Sequence, residues 1–214
     1  IQTQPETQGR TKAMLEWYPV AYVDAHEMGS DGTYFFAPEA IPYNPHLAEA
    51  QRSSLQLFGR NNARYFDQFG FDYFTREVYD AFYPGYGASW PSYFGSIAMT
   101  YEQASARGLV VRQYDGNELH YRYTVRNHFV TSLATAETVA ENREKFLQDF
   151  YDYRVSAIEE GEDEDVRAYI LPVQSDQAAA NKLAGLLSRQ DVEVHRALSS
   201  FSACGASYQA GSYL

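Results

Sequence analysis

The chain lacks several features that would assign it to a special class of protein. Its 214 residues include one cysteine, Cys204, which excludes an internal disulfide. Lys and Arg number 17 against 28 Asp and Glu, for a formal net charge of −11. Because binding to phosphates needs a basic face, nucleic acid is a poor partner. No apolar run approaches the length of a membrane-spanning helix, so no membrane partner is expected.

Aromatic residues are what the chain has in excess. They make up 16% of the sequence, with 19 tyrosines, and many of them lie between Tyr65 and Tyr101. Such a cluster is consistent with a wall that binds organic surface. It is equally consistent with a tyrosine-rich edge of the core, and the composition alone does not decide between the two.

The pattern of apolar residues predicts an α/β fold. Two short apolar runs, Trp17–Ala25 and Ser96–Glu102, predict buried strands, and we expect them to be close neighbours in one mixed sheet. Helical spacing predicts helices over 46–69 and 75–82 and one long amphipathic helix over 121–160. Residues 1–16 are polar and are predicted to form a loop.

An acidic run predicts a boundary between two domains. Residues 159–165 contain six carboxylates and one glycine, which is typical of a solvated linker. Beyond them the pattern predicts a strand over 166–171, a helix over 176–190 and a strand over 192–197, which is a βαβ signature. We therefore predict one domain over 1–158, a linker over 159–165 and a partial α/β domain over 166–214.

Polar side chains stand at the end of the first predicted strand, in Asp24-Ala25-His26-Glu27-Met28-Gly29. The ends of strands in open α/β sheets are a usual place for a site. Asp24 and His26 lie on the same side of an extended chain, so Asp24 could orient the site. His26 is a candidate metal ligand, and a buried, hydrogen-bonded histidine is the alternative.

Glu102 ends the second predicted strand, after apolar Ile97, Ala98 and Met99. A carboxylate there is unfavourable unless it is paired or functional. Partial burial would raise its pKa toward that of a general base. The alternative is an ion pair with Arg107 or Arg112.

The other histidines carry weaker signals. His46 and Glu49 have an H-x-x-E spacing, but they stand just after Pro45 at a predicted helix start, where a cap or a solvated face is the simpler interpretation. His120 and His128 are expected to be surface or packing residues. His195 has no partner nearby in the sequence.

Three motifs, taken in order, resemble the M14 zinc carboxypeptidase family (carboxypeptidase A-like). They are the Asp24–Gly29 strand end, the Gly-rich aromatic loop from Tyr83 to Trp90, and Met99-Thr100-Tyr101-Glu102. The resemblance covers about residues 1–155. It implies the second part of a mixed-sheet peptidase domain, with His26 as a zinc ligand and Glu102 as the catalytic glutamate, the general base. It further implies that Tyr83 or Tyr86 closes on the substrate and that Trp90 walls the pocket.

The resemblance also implies an activity. A zinc-dependent metallocarboxypeptidase hydrolyses the C-terminal peptide bond, so the implied partner is the C-terminus of a peptide or protein, and a periplasmic or secreted location is favoured. Residues 166–214 resemble the start of an amidotransferase-like, flavodoxin-like domain found after some bacterial members.

The chain departs from the family pattern in one important respect. The family's first two zinc ligands form an H-x-x-E motif upstream of the D-x-H strand end, yet no histidine precedes His26. His46 and Glu49 lie on the wrong side of His26 and are rejected as that pair. The chain is therefore expected to be a fragment that binds zinc weakly or not at all and is inactive alone. The competing interpretation is a non-catalytic module that binds a peptide or glycan through the aromatic loop 83–94.

Overall fold

A computed structural model describes residues 3–173 and 176–214 of the chain. The chain divides into two compact units, one formed by residues 19–156 and the other by residues 1–18 together with 157–214. The sequence placed residues 1–18 in the first domain, whereas the contacts group them with the C-terminal segment. No helix in the described ranges is both long enough and apolar enough to cross a membrane.

The larger unit is built on a mixed three-stranded sheet. Strands β1 (Ala21–Met28) and β3 (Ile97–Ala104) pair in parallel, and β2 (Tyr34–Phe35) pairs antiparallel to β3 on its other side. The prediction that the two apolar runs are neighbours in one mixed sheet is confirmed. Both strands begin and end later than predicted, so His26 and Glu102 lie within strands, two residues before each strand ends. Trp17 belongs to a helix instead.

Helices cover this sheet. Helix α2 (Glu49–Phe69) and helix α3 (Tyr121–Glu141) pack on one another and on β3. A short 3-10 helix, Trp90–Phe94, precedes β3. The core between helices and sheet consists of large side chains that are almost fully buried, among them Tyr34, Phe36, Leu55, Phe58, Phe66, Met99, Tyr101 and Phe146. This much agrees with the predicted α/β class.

The single long helix predicted over 121–160 is two helices. Helix α3 ends at Glu141, Asn142 takes a non-helical conformation (φ −112°, ψ 16°), and helix α4 runs over Arg143–Asp163. The prediction of one helix rested on the absence of glycine and proline, but asparagine also ends helices, and Asn142 does so here. Most of the acidic run predicted as a linker is the last turns of α4, a correction to that local prediction.

The segment predicted as a helix over 75–82 is not helical. Arg76 and Val78 have positive φ angles of 63° and 65°, which an α-helix does not allow. The segment is held by backbone hydrogen bonds, from Arg76 N–H to the Pro38 carbonyl and from Ala40 N–H to the Tyr79 carbonyl, both 2.7–2.8 Å long. It therefore lies beside residues 38–40. Further along, β4 (Val110–Arg112) and β5 (Glu118–His120) form a hairpin.

The described residues of the smaller unit, 3–18, 157–173 and 176–214, do not form the predicted βαβ arrangement of strands. The unit has helix α1 (Pro5–Trp17) where a loop was predicted, helix α5 (Gln177–Ser188), and a hairpin of β6 (Phe201–Ala203) and β7 (Ala206–Tyr208). In place of the predicted strands, Leu171 and Arg196 each form a single antiparallel bridge to Tyr213. The C-terminal segment thus bridges both predicted strands, and neither extends into a strand of its own.

The close approach of α2 to residues 37–38 gives a prediction about stability. A Cβ atom at Gly59 would lie 2.5 Å from the Ala37 carbonyl oxygen and 2.7 Å from Pro38 Cδ, whereas a Cβ at Gly161 in α4 meets nothing. Gly59→Ala should lower the free energy of unfolding by about 1–3 kcal/mol because the backbone must shift. The matched control Gly161→Ala should raise it by about 0.5–1 kcal/mol through helix propensity. Denaturant unfolding measures both, and equal signs would contradict the packing described.

Candidate functional site

The two strongest sequence candidates stand opposite each other on neighbouring strands. In the parallel pair of β1 and β3, His26 is in register with Glu102 and Asp24 with Thr100. Paired residues of adjacent strands project to the same face of a sheet, and so do residues two apart on one strand. All four side chains therefore share one face.

His26 is accessible. Its side chain is 52% exposed, so the alternative of a buried histidine is wrong. Its Nε2 atom lies 3.2 Å from Asp24 Oδ2, and Asp24 is the more buried of the two. An imidazole with one nitrogen on a carboxylate is fixed in orientation, with its second nitrogen left for another partner.

Glu102 is buried. One of its carboxylate oxygens, Oε2, has no hydrogen-bond partner and no solvent exposure. Burial raises the pKa of Glu102; the nearby His26 opposes that shift and the Asp24 carboxylate adds to it. The ion pair with Arg107 or Arg112 that would have explained this carboxylate is not formed in the described part of the chain. Glu102 is thus a carboxylate whose proton is held more tightly than in water.

A cavity of about 280 Å³ opens on this face of the sheet. Its lining comes from the four strand residues already described, from the 76–80 segment and from the aromatic loop, namely Asp24, His26, Val78, Tyr79, Asp80, Tyr86, Gly87, Ala88, Thr100 and Glu102. We call it the His26–Glu102 cavity. It combines an imidazole, three carboxylates and two tyrosines, which are groups that can accept and donate protons.

The three aromatic residues that were predicted to contact substrate differ in their position relative to the cavity. Tyr86 lines the cavity. Tyr83 is about half exposed and contacts the Tyr86 ring edge to face, with ring centres 5.2 Å apart, so it stands next to the cavity. Trp90 begins the 3-10 helix and packs on Phe94, with ring centres 4.6 Å apart, and it does not line the cavity.

Behind the cavity lies a residue that the sequence analysis missed. Glu39 is 2% exposed, its carboxylate accepts the backbone N–H of Thr100, and its Oε2 atom has no partner. Burial raises the pKa of Glu39 to about 7, against the two backbone hydrogen bonds, which lower it. The available signal was an acid inside the otherwise apolar stretch 34–42.

The end of β1 is tied to α3 by a chain of hydrogen bonds that runs from a buried tyrosine to the surface. Tyr34 O–H lies 2.8 Å from His128 Nδ1 and 2.8 Å from Thr131 Oγ1, and His128 Nε2 donates to the His26 carbonyl at 3.2 Å. Burial lowers the pKa of His128, which favours the neutral ring that this arrangement needs. His128 therefore packs, as predicted, and fixes the backbone of His26.

The remaining histidines are away from the cavity. His46 is exposed just before α2, and Glu49 in the first turn pairs with Arg52 at 3.1 Å. His120 lies 3.5 Å from Glu118, and His195 pairs with Glu193. Within residues 3–173 and 176–214, no three His, Cys, Asp or Glu side chains are grouped to hold a metal ion. The cavity contributes donors of the type zinc uses, but the described residues do not complete a zinc site.

Comparisons with protein-family models, with curated proteins and with solved structures found no match to this chain.

Proposed function

We propose that the chain carries part of the catalytic centre of a zinc-dependent metallocarboxypeptidase, with His26 as a metal ligand and Glu102 as the general base. The observation that supports this most is the parallel register of His26 and Glu102, which directs a candidate ligand and a candidate base into one cavity. The resemblance of the Asp24–Gly29 and Met99–Glu102 motifs to that family rests on the same residues.

His26 suits the role of a ligand because of its exposure and its partner. The contact between Nε2 and the Asp24 carboxylate holds the ring, and in the neutral imidazole Nδ1 is the nitrogen that remains for a metal. A bound zinc would supply Lewis acidity toward water and the substrate carbonyl. The other ligands would be an H-x-x-E pair that residues 3–173 and 176–214 do not contain in a usable position.

Glu102 suits the role of a base because its environment matches the task. A carboxylate with a raised pKa in the wall of a cavity can accept a proton from water and return it to a leaving amine. The Glu39 carboxylate accepts the backbone N–H of Thr100, which lies two residues before Glu102 on β3.

The aromatic loop suits the role of a substrate clamp. Tyr86 at the cavity and Tyr83 against it present two half-exposed rings within one turn, Tyr83-Pro84-Gly85-Tyr86-Gly87. The same exposed pair is what favours the second candidate function, a non-catalytic module that binds a peptide or glycan. The two candidates differ in whether the imidazole and the carboxylate are needed.

A zinc titration of the chain tests the proposal directly. As zinc is added, the NMR signals of His26 should shift before those of the other histidines. The binding free energy should be far smaller than the roughly 10–16 kcal/mol of complete structural zinc sites. His26→Ala should abolish that response, and the matched control His46→Ala should leave it unchanged. Zinc held tightly through dialysis, or a response that survives His26→Ala, would contradict the assignment. A module that needs only the aromatic loop would show no His26 response.

A further inference from the structure

The His26–Glu102 cavity carries negative charge on more than one of its walls. Asp24 and Glu102 lie on the sheet and Asp80 lies on the 76–80 segment, whereas none of the described lysines and arginines is among the lining residues. His26 lies 3.2 Å from Asp24. Asp80 and Glu102 form no salt bridge within the parts of the chain that the structure describes. A cleft lined by charge of one sign attracts a ligand of the opposite sign.

Glu102 points to a ligand independently of the number of acids. Its side chain lies in the cavity wall and is 7% exposed, and its Oε2 atom has no hydrogen-bond partner among the described residues. A buried carboxylate without a partner is unfavourable unless another group compensates its charge. The arginine of the 76–80 segment does not do so, because the Arg76 guanidinium donates to Gln56 Oε1 and does not line the cavity. A cation bound in the cavity would supply the compensating charge.

Asp80 has one carboxylate oxygen fixed and the other available. Its Oδ1 atom accepts the Phe82 N–H at 2.8 Å, which orients the side chain. No described residue donates to its Oδ2 atom, so this oxygen can accept a hydrogen bond from a ligand. Asp80 also stands on a different wall from the sheet residues His26 and Glu102. It can therefore bind a cationic group that is separate from a metal held by His26.

The same segment presents an apolar side chain to the cavity. Val78 is 77% exposed although it is apolar, and it lines the cavity together with Ala88. Its φ angle of 65° lies in the left-handed region, which is unfavourable for a β-branched residue, and residues held in this way cluster at sites that bind ligands. Tyr86 adds a half-exposed ring that can pack on a cationic group. The lining therefore combines apolar surface with negative charge.

We propose that the His26–Glu102 cavity binds the side chain of a lysine or arginine, with the cationic head at Asp80 and the methylene stem against Val78. These two side chains combine an apolar stem with a cation, as the lining requires. The cavity volume of about 280 Å³ lies just below the roughly 300–1,000 Å³ of typical small-molecule sites, which suits a single side chain. Assigning this residue to the C-terminus of a substrate rests on the proposed function, whereas the binding of the side chain does not.

Isothermal titration calorimetry of the chain without zinc tests the chemistry of the ligand. Nα-acetyl-arginine amide should bind with a dissociation constant on the order of 1 mM. Nα-acetyl-citrulline amide has nearly the same shape without the charge and should bind at least about tenfold more weakly. Methylguanidinium has the charge without the stem and should also bind at least about tenfold more weakly. Equal binding of either control ligand, or no binding of the arginine derivative, overturns the proposal.

The same titration with two variants tests the role of Asp80. Asp80→Asn keeps an oxygen for the Phe82 N–H and should weaken binding of the arginine derivative at least about tenfold. The matched control is Asp115→Asn, since Asp115 Oδ1 accepts the Asn117 N–H at 2.9 Å in the same way but lies outside this cavity. It should bind as the unmodified chain does, and equal effects of the two substitutions overturn the assignment. Because no zinc is present, loss of this binding leaves the zinc response of His26 unchanged, so the two proposals fail separately.

Discussion

Glu39→Gln is expected to raise the free energy of unfolding by about 3 kcal/mol more at pH 8 than at pH 4. The reason is the raised pKa of Glu39, which is 4.5 for a free side chain and about 7 in its buried position. Between those values the unfolded chain has released its proton while the folded chain retains it. Stability is therefore lost as the pH rises from about 4.5 to 7, and glutamine, which does not ionise, removes that loss.

The measurement is a set of urea unfolding curves at several pH values for both proteins. Comparing the variant with the unmodified chain at each pH cancels the contributions of the other ionisable groups. Glutamine keeps an oxygen that can accept the Thr100 N–H. The informative quantity is how the stability difference between the two proteins changes with pH, and not its value at one pH. The control is Glu16→Gln, at an exposed position, which should show no such dependence. If the free energy of unfolding changed with pH in the same way for Glu39→Gln and for the unmodified chain, burial would not raise the pKa of Glu39, and the prediction would be wrong.

The pairing of the two strands could be predicted because it depends on local composition. Residues 17–25 and 96–102 are short apolar runs that end in polar side chains, and the partner of such a run is usually another one. Once β1 and β3 are adjacent and parallel, His26 and Glu102 meet by register, so the core of the candidate site follows from the sequence. The register itself could not be predicted from the sequence, because each strand begins later than its apolar run.

The missed elements depend on contacts that are distant in the sequence. Helix α1 buries only Thr11 and Met14, so it shows no apolar stripe. The 75–82 segment looks helical, but its backbone bonds to residues 38–40 determine its conformation. Glu39 was missed for the same reason, because the burial of a carboxylate at the 38–40 segment becomes visible only when that segment is paired.

If the proposed function holds, Glu102→Gln in a protein that also carries the H-x-x-E pair should reduce turnover by about 10²–10⁴-fold, the usual cost of removing a general base. Zinc content should be unchanged because Glu102 is proposed as a base and not as a ligand. Stability at pH 8 should not fall. Burial raises the pKa of Glu102, so its ionised form costs stability as the pH rises, and glutamine removes that cost. A residue whose replacement removes activity without lowering stability is retained for function.

The most direct test of the proposed centre is kcat/KM on peptides with a free C-terminus, measured together with the zinc content per chain. The two proteins compared are one that also carries the H-x-x-E pair and its Glu102→Gln variant. Peptides blocked at the C-terminus serve as the negative substrate. The account predicts that turnover of the free peptides falls at least about 100-fold while zinc per chain stays the same. Near-normal turnover with normal zinc content would contradict the role of Glu102, and a parallel loss of zinc and activity would assign it to the metal or the fold instead.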